Sequence, residues 1–172
     1  MEQMAAEAGV TKPILYRHVG GRRELVSSLA IRFADRLMER LSAALDRDVE
    51  PRELLAAAID TYLALIEEEP ELYQFLTRRV PAEQRGAHEV LTEFVDEVAR
   101  RVAVVIGEQL RRAGADSGPA EPWAFGLVGM VQAAGDWWVD RRTMPRARLV
   151  EYLLALVWDG LRMQDLREGA VS

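Results

Sequence analysis

The sequence predicts an all-α fold: a helix-turn-helix head, a long helix leaving it, and a helical body. Three observations predict this. Apolar residues recur at intervals of three and four along most of the chain, the spacing that lines one face of a helix. No stretch alternates apolar and polar residues as a half-buried strand does. Gly and Pro gather at the ends of the periodic runs, at Gly20-Gly21, Pro51, Pro70, Pro81, Gly114 to Pro122 and Pro145. The expected division is residues 1–45 for the head with its linking helix and 46–172 for the body.

The head is read residue by residue. Met4, Ala5, Ala6 and Ala8 favour a helix with small faces for close packing. Gly9 falls where that helix must stop, and Val10 is the apolar residue of the turn. The next helix is capped by Thr11 or Lys12. Thr11 offers a side-chain oxygen, while Pro13 suits a first turn and restricts the residue before it. Ile14, Leu15 and Val19 give this helix its apolar contacts, which leaves Thr11, Lys12, Tyr16, Arg17 and His18 free to face outward. Two helices about a short glycine turn make a helix-turn-helix. From Ala8 to Arg23 there is no Asp or Glu, whereas Lys12, Arg17, Arg22 and Arg23 are all cationic. Such cations neutralise phosphates, hydroxyls donate to them, and side chains near a helix start reach base edges.

Charge distribution separates this head from an ordinary basic hairpin. The chain carries −6 overall, yet residues 1 to 36 hold six cationic and four anionic side chains, a net of +2 that leaves −8 for the remainder. A basic head on an acidic body fits a DNA-binding module carried by a regulatory domain.

After Gly20-Gly21 a long helix is expected from Arg22 to about Asp46, striped by Leu25, Leu29, Phe33, Leu37, Leu41 and Leu45. Pro51 starts a second helix, faced by Leu54, Leu55, Ala58, Ile59, Tyr62, Leu63 and Ile66, and Glu67-Glu68-Glu69-Pro70 ends it. A short helix with Leu72, Tyr73, Phe75 and Leu76 follows. From Ala82 to Arg112 a helix has its seam at Leu91, Phe94, Val98, Val102, Val105, Ile106 and Leu110. Residues 114 to 122 form the clearest loop. The last helices, Pro122 to Arg142 and Pro145 to Leu166, hold all four Trp residues and are apolar on more than one stripe. A helix apolar on most sides is buried on most sides, so residues 122–166 are expected to form a homodimer interface.

No enzymatic constellation assembles, so no catalytic residue, metal ligand or cofactor is assigned. The histidines are His18, in the basic stretch, and His88, near a helix start. Glu67, Glu68 and Glu69 read as a solvated helix end, because consecutive helical residues point in different directions. Asp136 and Asp159 read as salt-bridge partners of Arg141, Arg142 or Arg146. With no Cys there is no disulfide and no thiolate chemistry. No apolar run approaches the roughly 18 to 20 residues of a membrane span and no signal peptide opens the chain, so a cytoplasmic protein without membrane contact is expected. An effector pocket would use aromatic or pliable residues on inward faces: Tyr62, Phe75, Phe94, Trp123 and Met130.

The string Ala-Glu-Ala-Gly-Val-Thr-Lys-Pro-Ile-Leu-Tyr-Arg-His-Val-Gly-Gly-Arg-Arg-Glu-Leu, residues 6 to 25, resembles the second half of the DNA-binding domain of the tetracycline-repressor (TetR) family. Val19 stands where that family usually has Phe, and Gly21 where it often has Ser. The family's first helix would precede Met4, where only Met1, Glu2 and Gln3 are present, so the resemblance implies an incomplete head and a chain that starts late. It further implies a ligand-responsive transcriptional regulator, usually a repressor, that binds double-stranded operator DNA as a homodimer. The last two helices pair between subunits, and a small-molecule effector enters each body and changes the separation of the heads. By position, Thr11, Lys12, Tyr16, Arg17 and His18 match the DNA-facing recognition residues, Arg22 a phosphate contact, and Pro13 a contact to thymine methyls. The alternative is a non-enzymatic dimeric sensor or interaction module with a vestigial DNA head.

Overall fold

The computed structural model describes Gly9 and residues 22–77 and 85–159. Among the described residues there are six helices and no strand: α1 Arg22–Leu45, α2 Pro51–Glu68, α3 Pro70–Thr77, α4 Arg85–Arg112, α5 Ala120–Arg141 and α6 Arg146–Asp159. The expected stretch of the last helix beyond Asp159 lies outside the described residues.

Each boundary has a local cause. α1 buries Val26, Ala30, Phe33, Leu37, Leu41 and Ala44, spaced by three and four, so one face of a long helix turns inward. Pro51 opens α2, where a missing N–H leaves no helical carbonyl unpaired. At its other end the Glu69 N–H closes on the Leu65 carbonyl at 3.2 Å, and Pro70 restarts the chain as α3. α4 stops at Gly114, whose φ of +69° lets the Ala115 N–H reach back to the Leu110 carbonyl at 2.9 Å. α5 begins at Ala120, before the expected Pro122. Pro122 is accommodated because it sits in the first turn, whose N–H groups have no helical acceptor. α5 ends at Arg142, a non-glycine residue at φ 47°. Its guanidinium lies 5.1 Å over the Trp138 ring and 3.8 Å from Glu67, contacts that oppose about 1–2 kcal/mol of left-handed strain.

α4 packs against α1 and α5, and α2 against α1 and α6, while α5 and α6 make little contact with each other. The shared core includes Phe33, Leu37, Leu63, Leu65, Ile66, Tyr73 and Trp138. Trp138 is 1% exposed, and its indole Nε1–H donates to the Met144 carbonyl at 2.8 Å, which fixes the α5–α6 turn to the core. Phe125, Trp137, Tyr152 and Leu156 are exposed on α5 and α6.

Two expectations about acids are corrected. Glu67, Glu68 and Glu69 are not simply solvated. Arg146 binds Glu67 at 2.8 Å, Arg40 binds Glu68 at 2.9 Å and Arg36 binds Glu69 at 2.5 Å. The divergence of consecutive helical side chains sends each acid to a different arginine. Asp136, by contrast, does not pair with an arginine. Arg146 is engaged by Asp60 and Glu67, Arg142 reaches Glu67, and Arg141 lies over the Trp137 ring. Asp136 instead accepts a hydrogen bond from Tyr73 at 2.5 Å. The side chain of Asp159 lies outside those described.

Replacing Trp138 by Phe removes the indole donor and part of a fully covered ring. Trp138→Phe is expected to cost about 2–3 kcal/mol, read as a lower urea midpoint at an unchanged slope.

Candidate functional site

The seam of α4 does not close on a solid core. Leu91, Phe94, Val98, Val102, Val105, Ile106 and Leu110 all face a cavity of about 960 Å³. α1 and α2 form further walls, α5 another, and the rings of Tyr62 and Tyr73 stand among them. The α1 wall runs from Phe33 to Leu45, about 18 Å at 1.5 Å per residue, so the cavity is elongated along the helices. It is exposed where α4 hands over to α5, at Ala113, Pro122 and Trp123, and Trp123 is 55% exposed. Val157 and Trp158 of α6 add a further stretch of wall.

The walls are almost entirely apolar, and their few polar groups are concentrated. Tyr62 and Tyr73 have hydroxyls 2.7 Å apart beside Phe33, and Tyr73 donates onward to Asp136. Thr77 Oγ1 donates to the Tyr73 carbonyl at 2.9 Å. Gln109 and Gln132 add two amides to the wall, and Trp123 and Trp158 bring indole N–H donors. Burial, the larger cause, raises both phenols well above the ordinary tyrosine range, and the Asp136 charge acts in the same direction, so both stay neutral. Gly135 on α5 makes room for this cluster. A Cβ there would stand 2.8 Å from Tyr62 Cε1, 3.0 Å from its hydroxyl and 3.1 Å from Ile66 Cδ1.

Of the sequence-selected pocket residues, Tyr62, Phe94, Trp123 and Met130 are on this wall. Phe75 is not. It packs from α3 against the apolar core, because the inward turn of that short helix presents Tyr73 and Leu76. Thr11, Lys12, Pro13, Tyr16, Arg17 and His18 lie outside the described residues, as does the side chain of Arg22. Sequence reasoning missed Tyr73 and Thr77 as wall residues and Asp136 as the acceptor behind Tyr73. Among the described residues no three His, Cys, Asp or Glu side chains converge on a metal position. Among them, too, no helix is long and apolar enough to cross a membrane.

Two outcomes follow from this geometry. Gly135→Ala drives a methyl group into Tyr62 and Ile66 and is expected to destabilise by about 1–3 kcal/mol, seen as a lower Tm. The raised phenols set an alkaline limit. The unfolded chain ionises near the ordinary tyrosine value of 10.0 while the folded chain holds its protons, so this contribution is complete below that value and is lost as pH rises above it. Thermal melts across that range should therefore fall less steeply for Tyr62→Phe than for the unsubstituted protein.

Residues 40–172 match the family model described as the tetracyclin repressor-like C-terminal domain. An uncharacterized HTH-type transcriptional regulator of Mycobacterium tuberculosis is 33% identical over 162 residues, covering 94% of this chain and 68% of the relative. The HTH-type transcriptional activator FasR of Mycolicibacterium smegmatis is 27% identical over 169 residues, covering 94% and 73%. A TetR/AcrR-family regulator from Thermobifida fusca superposes with a TM-score of 0.68 at 17% identity, over 94% of this chain and 86% of that one, which shows the fold. The all-helical body, the cavity along its long helices and these matches agree: the chain belongs to the TetR family of helix-turn-helix transcriptional regulators.

Proposed function

We propose that this regulator is a homodimeric repressor that binds operator DNA through residues 1–45 and an apolar effector through the body, residues 46–172. The observation that carries the proposal is the double position of α1. The same helix follows directly on the basic stretch ending at Arg23 and walls the cavity with Phe33, Leu37, Leu41 and Leu45. A molecule that fills the cavity therefore acts on the helix that leads to the head. Tyr62, Phe94, Trp123 and Met130 are the wall residues proposed to meet it. In the head, Thr11, Lys12, Tyr16, Arg17 and His18 read the operator, Pro13 touches thymine methyls and Arg22 holds a phosphate. The subunits pair through residues 122–166, a reading supported by the exposed Trp137, Tyr152 and Leu156. No catalytic step is assigned, and a cytoplasmic location follows from the DNA target.

Three measurements test this reading. Light scattering at micromolar concentration should give a dimer, and a stable interface of this kind buries about 1,200–2,000 Å² in total. A monomer with α5 and α6 exposed would refute the interface. A mobility shift on the regulator's own promoter fragment should show specific binding. Arg22→Ala should weaken binding to all sequences alike and lower the salt slope by about one unit. Transcription in vitro from the same fragment should fall when the protein is added. A rise would make it an activator, as its relative FasR is named.

A further inference from the structure

The polar corner of the cavity can be read hydrogen by hydrogen. A carboxylate only accepts, so the single hydroxyl hydrogen of Tyr73 goes to Asp136 at 2.5 Å. Tyr73 then has no hydrogen left for Tyr62. In the 2.7 Å contact between the two phenols Tyr62 must be the donor and Tyr73 the acceptor. Thr77, the third hydroxyl on this part of the wall, gives its hydrogen to the Tyr73 carbonyl at 2.9 Å. All three hydroxyl hydrogens are thus taken up inside the protein. What these three hydroxyls leave to a molecule in the cavity is oxygen lone pairs, with the Asp136 carboxylate behind them. Burial keeps both phenols neutral, so the direction of the chain does not change at physiological pH. Gln132 also lines the cavity, and its amide both donates and accepts, so it does not discriminate.

We infer that this corner selects an elongated apolar effector carrying a hydrogen-bond donor, such as a hydroxyl, at the end it places against Tyr62, Tyr73 and Thr77. The inference rests on the cavity being the effector site. An ether, ester or carboxylate at that end brings a second acceptor to a set of acceptors. It also excludes the water that would otherwise bond to them. Asp136 sets this polarity from outside the cavity wall, through Tyr73, and is a positioning residue. Tyr73 is the switch, because removing its hydroxyl returns the Tyr62 hydrogen to the cavity.

Two probes of similar shape separate the cases: decan-1-ol, which donates and accepts, and 1-methoxydecane, which only accepts. Calorimetric titration of the full chain should give about tenfold tighter binding of the alcohol, roughly one hydrogen bond together with the penalty of an unpaired group. In Tyr73→Phe the ether should gain affinity until the two probes bind within about twofold of each other. A lost hydroxyl that only loosened packing would weaken both probes together, so convergence through a gain by the ether identifies the polarity effect. Equal binding of the probes by the unsubstituted protein, or tighter binding of the ether, overturns the inference and leaves the cavity as an effector site. Failure of both probes to bind overturns the cavity reading and the inference with it. The first comparison needs no variant, so a Tyr73→Phe protein that fails to fold does not protect the claim.

Discussion

The corner between α2 and α3 holds the body in register. Three consecutive glutamates there reach three different places: Glu69 and Glu68 to Arg36 and Arg40 of α1, and Glu67 to Arg146 of α6 and Arg142 at the end of α5. Exposed ion pairs of this kind contribute little individually, about 0–1 kcal/mol each. Their importance is positional. Directly beneath them Leu65 and Ile66 are fully covered, Tyr73 is buried and Trp138 closes the far side. Solid packing and charge pairing therefore coincide at one end of the helices, and the cavity occupies the rest. The body is solid where it is tied and hollow along the seam of α4. A fold that keeps such a void loses packing contacts along its lining. The tied corner lets the remaining core carry that loss.

The elements were legible in the sequence because helical periodicity is a local signal. The stripe of α1, the seam of α4 and the proline-marked starts can be read from neighbouring residues alone. Sequence also put Tyr62, Phe94, Trp123 and Met130 on inward faces. It could not tell a face that meets a core from one that meets a void, since Leu and Val serve both equally. Phe75 shows the cost of that ambiguity: as an aromatic on a short helix it fitted either role. The pairing of Tyr62 with Tyr73 and Asp136 was hidden for a different reason. The partners are 11 and 63 residues apart in the hydrogen-bonded steps, on three helices, and nothing local to any of them announces the others. Asp136, a turn or more before Arg141, Arg142 and Arg146, looked like a salt-bridge partner, but Arg146 meets Asp60 and Glu67, Arg142 reaches Glu67 and Arg141 lies over the Trp137 ring.

The glycine at position 135 joins these levels. It looked like one of several small residues that permit close helix approach. Its role is narrower: the absence of a Cβ lets the Tyr62 ring edge lie against α5, and that seat brings its hydroxyl to Tyr73. A local property of one residue thus seats one hydroxyl of the polar corner.

The four indoles are distributed unequally, and this gives the protein an optical consequence. Trp138 is sealed in the core, off the cavity wall, and Trp137 stands outside with Arg141 over its ring. Trp123 and Trp158 are on the cavity wall and half open to solvent. The ultraviolet emission of the chain therefore divides into a blue component from the buried indole and a red component from three exposed ones, of which Trp123 and Trp158 stand against the wall. The wall therefore carries its own dye, and a molecule entering the cavity would change the surroundings of two indoles without any attached label.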